Sequence, residues 1–337
     1  MKGNILVINA GSSSLKFQVH AIKDDGVLEF VLGGSLTGIG GSRPCFKVKD
    51  HAGVQLEDKQ LEPAQANNLG AAQDIMASWL QQRIPEPPVA VGHRIVHGGP
   101  EMKRSVLVNQ EIIDYLDSLV PLAPLHQHNN LAPVHVLFEH WPEIRQVACF
   151  DTAFHRTQDG VAERFALPRE YHEQGVRRYG FHGLSYQYIA DHLREILPDV
   201  AAGRMVVAHL GSGASACAMV NGVSRATTMG FTALDGLPMG TRPGRLDAGV
   251  VLWMLEQGMN HDEIQDLLYN RSGMKGLSGI SNDMRTLLAS KEESARLAVD
   301  YFNYHTAESV AGLAVATAGL DSLVFTAGIG EHSPEIR

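Results

Sequence analysis

Asn4-Ile5-Leu6-Val7-Ile8-Asn9-Ala10-Gly11-Ser12-Ser13-Ser14-Leu15-Lys16-Phe17-Gln18-Val19 is the stretch on which the fold turns. Asn4 to Asn9 is rich in β-formers, Ala10 to Ser14 is turn chemistry, and Leu15 to Ile22 alternates apolar and polar residues. The segment therefore reads strand, tight turn, strand. Its echo is Met205-Val206-Val207-Ala208-His209-Leu210, then Gly211-Ser212-Gly213-Ala214-Ser215, then Ala216 to Val220. The turn glycines Gly11 and Gly211 lie 200 positions apart. One supersecondary unit thus occurs twice, which implies two related domains rather than a short-period solenoid.

The intervening chain mixes element types. Leu69, Ala72, Met76 and Leu80 recur at helical spacing, and Tyr186 to Ile196, Ala248 to Gln257 and Glu293 to Ala318 read as helices. Val89 to Val96, Gln146 to Phe150 and Ser322 to Thr326 read as strands. The proline-rich stretches Pro85 to Pro88 and Pro121 to Pro133 read as loops. Mixed elements with a repeated β-turn-β unit predict an α/β protein of two domains, 1–150 and 151–337. Ser333-Pro334-Glu335 has the chemistry of a helix opening, which sets the expectation that the polypeptide continues past Arg337.

With 337 residues, 44 % hydrophobic and 19 % charged, the chain can fill two cores. A formal net charge of −9 argues against a broad nucleic-acid surface. No apolar run matches a signal peptide or a membrane span, so a cytoplasmic location is expected. Cys45, Cys149 and Cys217 are too scattered for a disulfide framework or a zinc site. Cys149 and Cys217, in apolar runs, are expected to be buried thiols.

Three glycine-rich turns follow apolar strands: Gly11 to Ser14, Gly211 to Gly213 and Gly328-Ile329-Gly330. Without a Cβ, backbone N–H groups can approach an anion closely. None has P-loop spacing, and the first two lead into strands, which argues against P-loop and dinucleotide-binding readings. Gly328-Ile329-Gly330-Glu331 leads into a helix. Cations stand in similar settings. Lys16 follows the first turn, Arg94 lies within Gly92 to Gly99, and Arg242 lies in Gly240-Thr241-Arg242-Pro243-Gly244. A guanidinium fork matches carboxylate or phosphate oxygens. Asp151 directly follows a strand, where ligands meet α/β sheets. His182 sits between Gly180 and Gly183. His126-Gln127-His128 has metal-like residues but no third ligand.

Taken together, Asn9 to Lys16, Gly92 to Gly99, Asp151 to His155, Tyr179 to Ser185, His209 to Ser215, Gly236 to Arg242, Ser281 to Arg285 and Gly328 to Glu331 resemble the acetokinase family, in its order and spacing. The resemblance implies two duplicated domains of the acetate and sugar kinase, Hsp70 and actin superfamily, with ribonuclease H-like βββαβαβα cores. It implies phosphoryl transfer from ATP to acetate with Mg²⁺ or Mn²⁺, in a homodimer. Carried across, Asn9 binds the metal or its water shell, and Lys16 and Ser14 meet nucleotide phosphate. Arg94 holds the carboxylate, and Val96, Leu125 and Phe181 line the methyl pocket. Asp151 orients acceptor and metal, and His182 and Arg242 stabilise the phosphoryl group in transfer. His209, Leu210, Gly211, Ser212 and Gly213 cradle phosphates. Asp283, Met284 and Arg285, with Gly328, Ile329, Gly330, Glu331 and His332, hold the adenosine. Ser212 and His332 stand where Asn is common in the family, and Ala233 where many members carry Pro. The family also has further helices and a metal-linked Glu beyond the position of Arg337. Alternatives within the resemblance are a propionate or butyrate kinase, an ATP-dependent conformational module, and a nucleotide-binding fragment with impaired catalysis.

Overall fold

The computed structural model describes residues 3–84, 86–123 and 126–337. Its chain divides into two compact units, Met1–Ala153 and Phe154–Arg337.

The first unit is built on an eight-stranded sheet. Its strands are β1 (Asn4–Ala10), β2 (Ser14–Ile22), β3 (Leu28–Thr37), β4 (Cys45–Asp50), β5 (Gln55–Gln60), β6 (Ala90–Ile95), β7 (Val106–Leu107) and β8 (Arg145–Phe150), in the order β5-β4-β3-β2-β1-β6-β8-β7. The first turn closes an antiparallel hairpin in which Asn9 faces Lys16. β1, β6 and β8 run parallel. Helices α1 (Leu69–Arg83), α2 (Gln110–Ser118) and α3 (Gln127–His140) supply the crossovers. Alternation sends Leu6, Ile8, Leu15, Phe17 and Val91 into one core with Ala72, Met76 and Trp79 of α1. Ile95, Ala148 and Phe150 join Ile113, Leu116, Leu131 and Val134 of α2 and α3 in a second. On the opposite face Val7 is 37 % exposed, and a Cβ on Gly92 would meet nothing within 4 Å. Cys149, whose register puts it on that face, is half-buried rather than buried.

The stretch around Pro133 departs from its reading as a loop. α3 starts at Gln127 and carries Pro133 inside it. A mid-helix proline costs about 3 kcal/mol. Burial of Leu131 and Val134 contributes about 1.5–3 kcal/mol each, enough to offset it.

The second unit has strands β9 (Arg204–Leu210), β10 (Ala214–Val220), β11 (Val223–Thr227) and β12 (Ser322–Thr326), ordered β11-β10-β9-β12. β9 and β10 form an antiparallel hairpin, and β12 runs parallel to β9. This repeats the β2-β1-β6 arrangement of the first unit. Its helices are α4 (Arg169–Glu173), α5 (Gly183–Ile196), α6 (Pro198–Ala202), α7 (Ala248–Glu256), α8 (His261–Asp266), α9 (Gly273–Ser278), α10 (Met284–Ala289), α11 (Glu293–Ala316) and α12 (Ala327–His332). Tyr186, Ala190 and Leu193 of α5 pack on Met205, Val207, Cys217 and Met219, while α11 lies along β9 and β10. Both faces of β9 are therefore covered, as its apolar run Met205 to Ala208 requires. Burial holds the Cys217 thiol up at about 12, so it stays protonated and inert.

Ser333 stands at a junction: its N–H donates to Ile329 O and ends α12, while its carbonyl accepts from Ile336 N–H at 3.2 Å and Arg337 N–H at 3.4 Å, the start of the expected turn. The Arg337 guanidinium donates to the carbonyls of Gly330 and Glu331. A cation on the last carbonyls of α12 suits a helix C-terminus.

Candidate functional site

In the first unit, β1, β6 and β8 bring Asn9, Arg94 and Asp151 together at their C-terminal ends. Asp151 is nearly inaccessible, at 3 % side-chain exposure, whereas Arg94 keeps 34 %. Arg94 Nε donates to Asp151 Oδ1 and Oδ2 at 3.0 and 3.2 Å, and Nη2 to Oδ2 at 2.5 Å. Nη1 donates to Asn9 Oδ1 at 3.1 Å. A guanidinium has five N–H groups. Two remain, one on each terminal nitrogen, with no acceptor among the described residues. The Asp151 carboxylate, outweighing burial, holds the Arg94 pKa above its usual value. Lys16, opposite Asn9 in the hairpin, is exposed. Gly11 N–H donates to Ser14 O at 2.7 Å and closes the turn.

Val96 is buried beside Arg94. Its N–H donates to Asn130 Oδ1 at 2.8 Å, and Asn130 Nδ2 donates to Ala10 O. Gln127 bonds both backbone groups of His97. Asn130 and Gln127 thus fix the strand ends that present Arg94 and Asn9. Neither was legible in the sequence, because a buried amide in a helix has no local signature. Among the described residues no group of three His, Cys, Asp or Glu could hold a metal, and Gln127 is spent on the backbone. Leu125 lies outside the described residues.

In the second unit the turn after β9 carries the site. Gly211 N–H donates to Gly213 O at 3.1 Å. A Cβ on Gly213 would lie 2.8 Å from Arg242 Nη2 and 3.5 Å from His182 Nε2, so turn, guanidinium and imidazole converge on one point. His182 has φ 59°, a left-handed conformation in which His is enriched. That conformation ends the preceding loop and starts α5. The ring stacks on His209 with centroids 4.3 Å apart, and His182 Nδ1 lies 2.8 Å from Ser215 Oγ. Tyr186 OH bonds the same Ser215 oxygen, and Ser185 Oγ bonds His209 Nδ1 at 2.9 Å. Ser215 and Tyr186 escaped the sequence reading as orienting groups. Tyr186 stands four residues after His182, one helical turn along, and that spacing was the available signal.

Arg242 is held differently from Arg94. Nη1 donates to Ala233 O at 2.7 Å, and no carboxylate pairs with it among the described residues. Burial lowers its pKa, with Tyr269 pulling the other way. The local backbone demands a glycine: a Cβ on Gly273, at φ 61°, would fall 2.1 Å from Met239 O. Ala233 thus contributes a carbonyl, which a proline there would also supply.

Around this point stand the remaining candidates. Gly240 N–H donates to Ser212 O at 2.9 Å, and a Cβ on Gly240 would meet Asn282 O at 3.2 Å. Asp283 caps α10, accepting from Arg285 N–H at 2.9 Å and Arg285 Nη2 at 2.6 Å; those bonds hold its pKa low. Met284 and Leu210 are buried, so their side chains serve the core. Phe181 is buried and its carbonyl lies 3.0 Å from His155 Nε2. Gly328 to His332 lie inside α12 (Ala327–His332), so Gly328-Ile329-Gly330 is the first turn of a helix at the C-terminal end of β12 and not a turn leading into one. The Glu331 carboxylate turns back onto the helix start, accepting from Ala327 N–H at 3.0 Å.

Comparisons with known proteins show the family. The family model described as the acetokinase family matches residues 4–337. An acetate kinase from Nitrobacter hamburgensis is 52 % identical over 335 residues, covering 99 % of this chain and 83 % of that protein. One from Rhizobium meliloti is 48 % identical, covering 99 % and 84 %. Among solved structures, a propionate kinase from Francisella tularensis is similar at TM-score 0.90 and 35 % identity, covering 99 % and 86 %. An acetate kinase from Porphyromonas gingivalis is similar at TM-score 0.86 and 34 % identity, covering 99 % and 85 %.

Proposed function

We infer that this chain, which belongs to the acetokinase family, transfers the γ-phosphoryl group of ATP reversibly to acetate, giving acetyl phosphate and ADP. The observation that carries the reading is 52 % identity to an acetate kinase across 99 % of the chain. The geometry supports it on both sides of the reaction.

In the first unit, the two spare N–H groups of Arg94 receive the acetate carboxylate as a fork. Asp151 and Asn9 hold that guanidinium in one orientation. An acetate oxygen is already deprotonated, so attack on phosphorus needs no strong base. Val96, Leu125 and Phe181 are proposed to contact the methyl group. In the second unit, the turn from His209 to Gly213 presents backbone N–H groups to nucleotide phosphate. His182 and Arg242 stand where negative charge grows on the transferred group, and such donors act most strongly where water is sparse. Lys16 and Ser14 add to the phosphate contacts. Asp283 to Arg285 and Gly328 to His332 flank the nucleoside.

The donor chemistry also fits Mg²⁺. Asn9 Oδ1 and the Asp151 carboxylate are hard oxygen donors at the ends of β1 and β8, on either side of β6 and joined through Arg94, and Mg²⁺ takes few protein ligands besides substrate phosphate. When bound, the ion neutralises phosphate charge. Mn²⁺ shares this preference for oxygen.

A homodimer is proposed through the second unit, where α7 exposes Leu252, Trp253 and Leu255. Among the described residues no helix is long and apolar enough to cross a membrane; a cytoplasmic location accords with ATP as co-substrate.

The test is ATP, Mg²⁺, acetate and hydroxylamine with the purified chain. Acetyl phosphate is trapped as a coloured hydroxamate, and its absence would overturn the assignment. Propionate in competition settles acyl preference, since one methylene is worth about 1–3 kcal/mol in an apolar pocket.

A further inference from the structure

The first unit contains a cavity of about 540 Å³ between α1 and α3. Its floor is the sheet face of Leu6, Ile8 and Val91, opposite the face that carries Asn9 and Arg94. Leu80 of α1 and Leu137 of α3 form its walls. This volume suits a small organic molecule, and an apolar lining with few polar groups is how such sites are built.

Two independent features say what kind of molecule. Gln73 lines the cavity at 9 % exposure, and its Nε2 has no hydrogen-bond partner among the described residues. A buried amide donor left without a partner destabilises the fold, and an acceptor oxygen on a ligand would recover that loss. The charged residues of the lining are Asp74, Glu86 and Glu143, all exposed, and no Lys or Arg lines it. Three carboxylates repel an anionic guest and attract a cationic one.

We propose that this cavity binds a small apolar molecule carrying an ammonium group and an internal carbonyl. The body lies between α1 and α3, the carbonyl accepts from Gln73, and the ammonium lies among Asp74, Glu86 and Glu143. The site is separate from phosphoryl transfer and needs none of its residues.

Three matched compounds test this by calorimetric titration of the full chain: N-(6-aminohexyl)benzamide, N-hexylbenzamide and 6-benzamidohexanoate. The ammonium compound is expected to bind saturably at one site. The carboxylate should bind at least tenfold more weakly, because each rim charge contributes up to about 1 kcal/mol. That preference should shrink in 1 M salt and in Glu143→Gln. Gln73→Leu should weaken the ammonium compound several-fold. Ala77→Trp, a substitution on an exposed position of α1 that fills the cavity, should abolish binding and leave acetyl phosphate formation unchanged. Equal affinity for the three compounds, no saturable binding, or full binding by Ala77→Trp would overturn the proposal. So would self-association of the chain that Ala77→Trp removes, which would assign the groove to a second copy.

Discussion

The two units hold their arginines in opposite ways. Arg94 of the first is clamped by a buried carboxylate and an amide, so its charge is matched before any ligand arrives. Arg242 of the second rests on the Ala233 carbonyl, with no acid paired to it among the described residues, and burial lowers its pKa. A matched guanidinium has little left to gain from extra charge and serves to position its guest. An unmatched one, already stripped of much of its water, gains most when negative charge appears. Under the proposed function, the difference suits Arg94 to acceptor binding and Arg242 to the transition state.

Removing Arg242 is the harshest way to probe that contrast. Arg242→Ala should lower kcat by about 10²–10³ with little change in acetate KM. Its stability should hold, because a desolvated cation without a carboxylate partner is lost; urea melts check this. Arg94→Ala should do the reverse for stability. It strands the buried Asp151 carboxylate, at a cost of about 3 kcal/mol, the low end for a broken buried pair because Arg94 is partly solvated. Adding Asp151→Asn should recover part of that loss. If the two alanine variants melted alike, the matched-against-unmatched distinction would fail.

A third prediction concerns the first unit alone. His93, next to Arg94 on β6, faces the core, and burial lowers its pKa to about 4, partly offset by Gln146. Neither ring nitrogen has a well-formed hydrogen bond among the described residues. The folded state therefore binds fewer protons than the unfolded state between pH 6.5 and 4. Stability is full above about pH 6.5 and falls as pH drops through that window, by about 3 kcal/mol. His93→Leu should flatten this slope in acid titrations of the melting midpoint. The smallest effect is expected from Gly213→Ala, whose Cβ would meet the mobile end of Arg242. It should lower kcat about tenfold, leave the fold intact, and spare acetate KM.

Much of this was readable beforehand, for physical reasons. Both hairpins announce themselves through alternation and turn residues, and Met205 to Ala208 is apolar throughout because both faces of β9 are covered. Arg94, Asp151, His182 and Arg242 stood out because turn glycines or strand ends flank them. What stayed hidden depends on partners distant in sequence. Pro133 suggested a loop, yet core burial carries α3 through it. Ser333 looked like a cap and does open a turn, yet the same residue also ends α12, which its own sequence context did not show. Asn130, Gln127 and Ser215 orient the site from inside the structure, and nothing local marks them.

The most direct test is the acetate dependence of acetyl phosphate formation by Arg94→Ala and Arg242→Ala, measured side by side at saturating Mg·ATP. The account predicts a large rise in acetate KM for Arg94→Ala and a KM near that of the unmodified chain for Arg242→Ala, whose loss falls on kcat. An unchanged acetate KM in Arg94→Ala would contradict it.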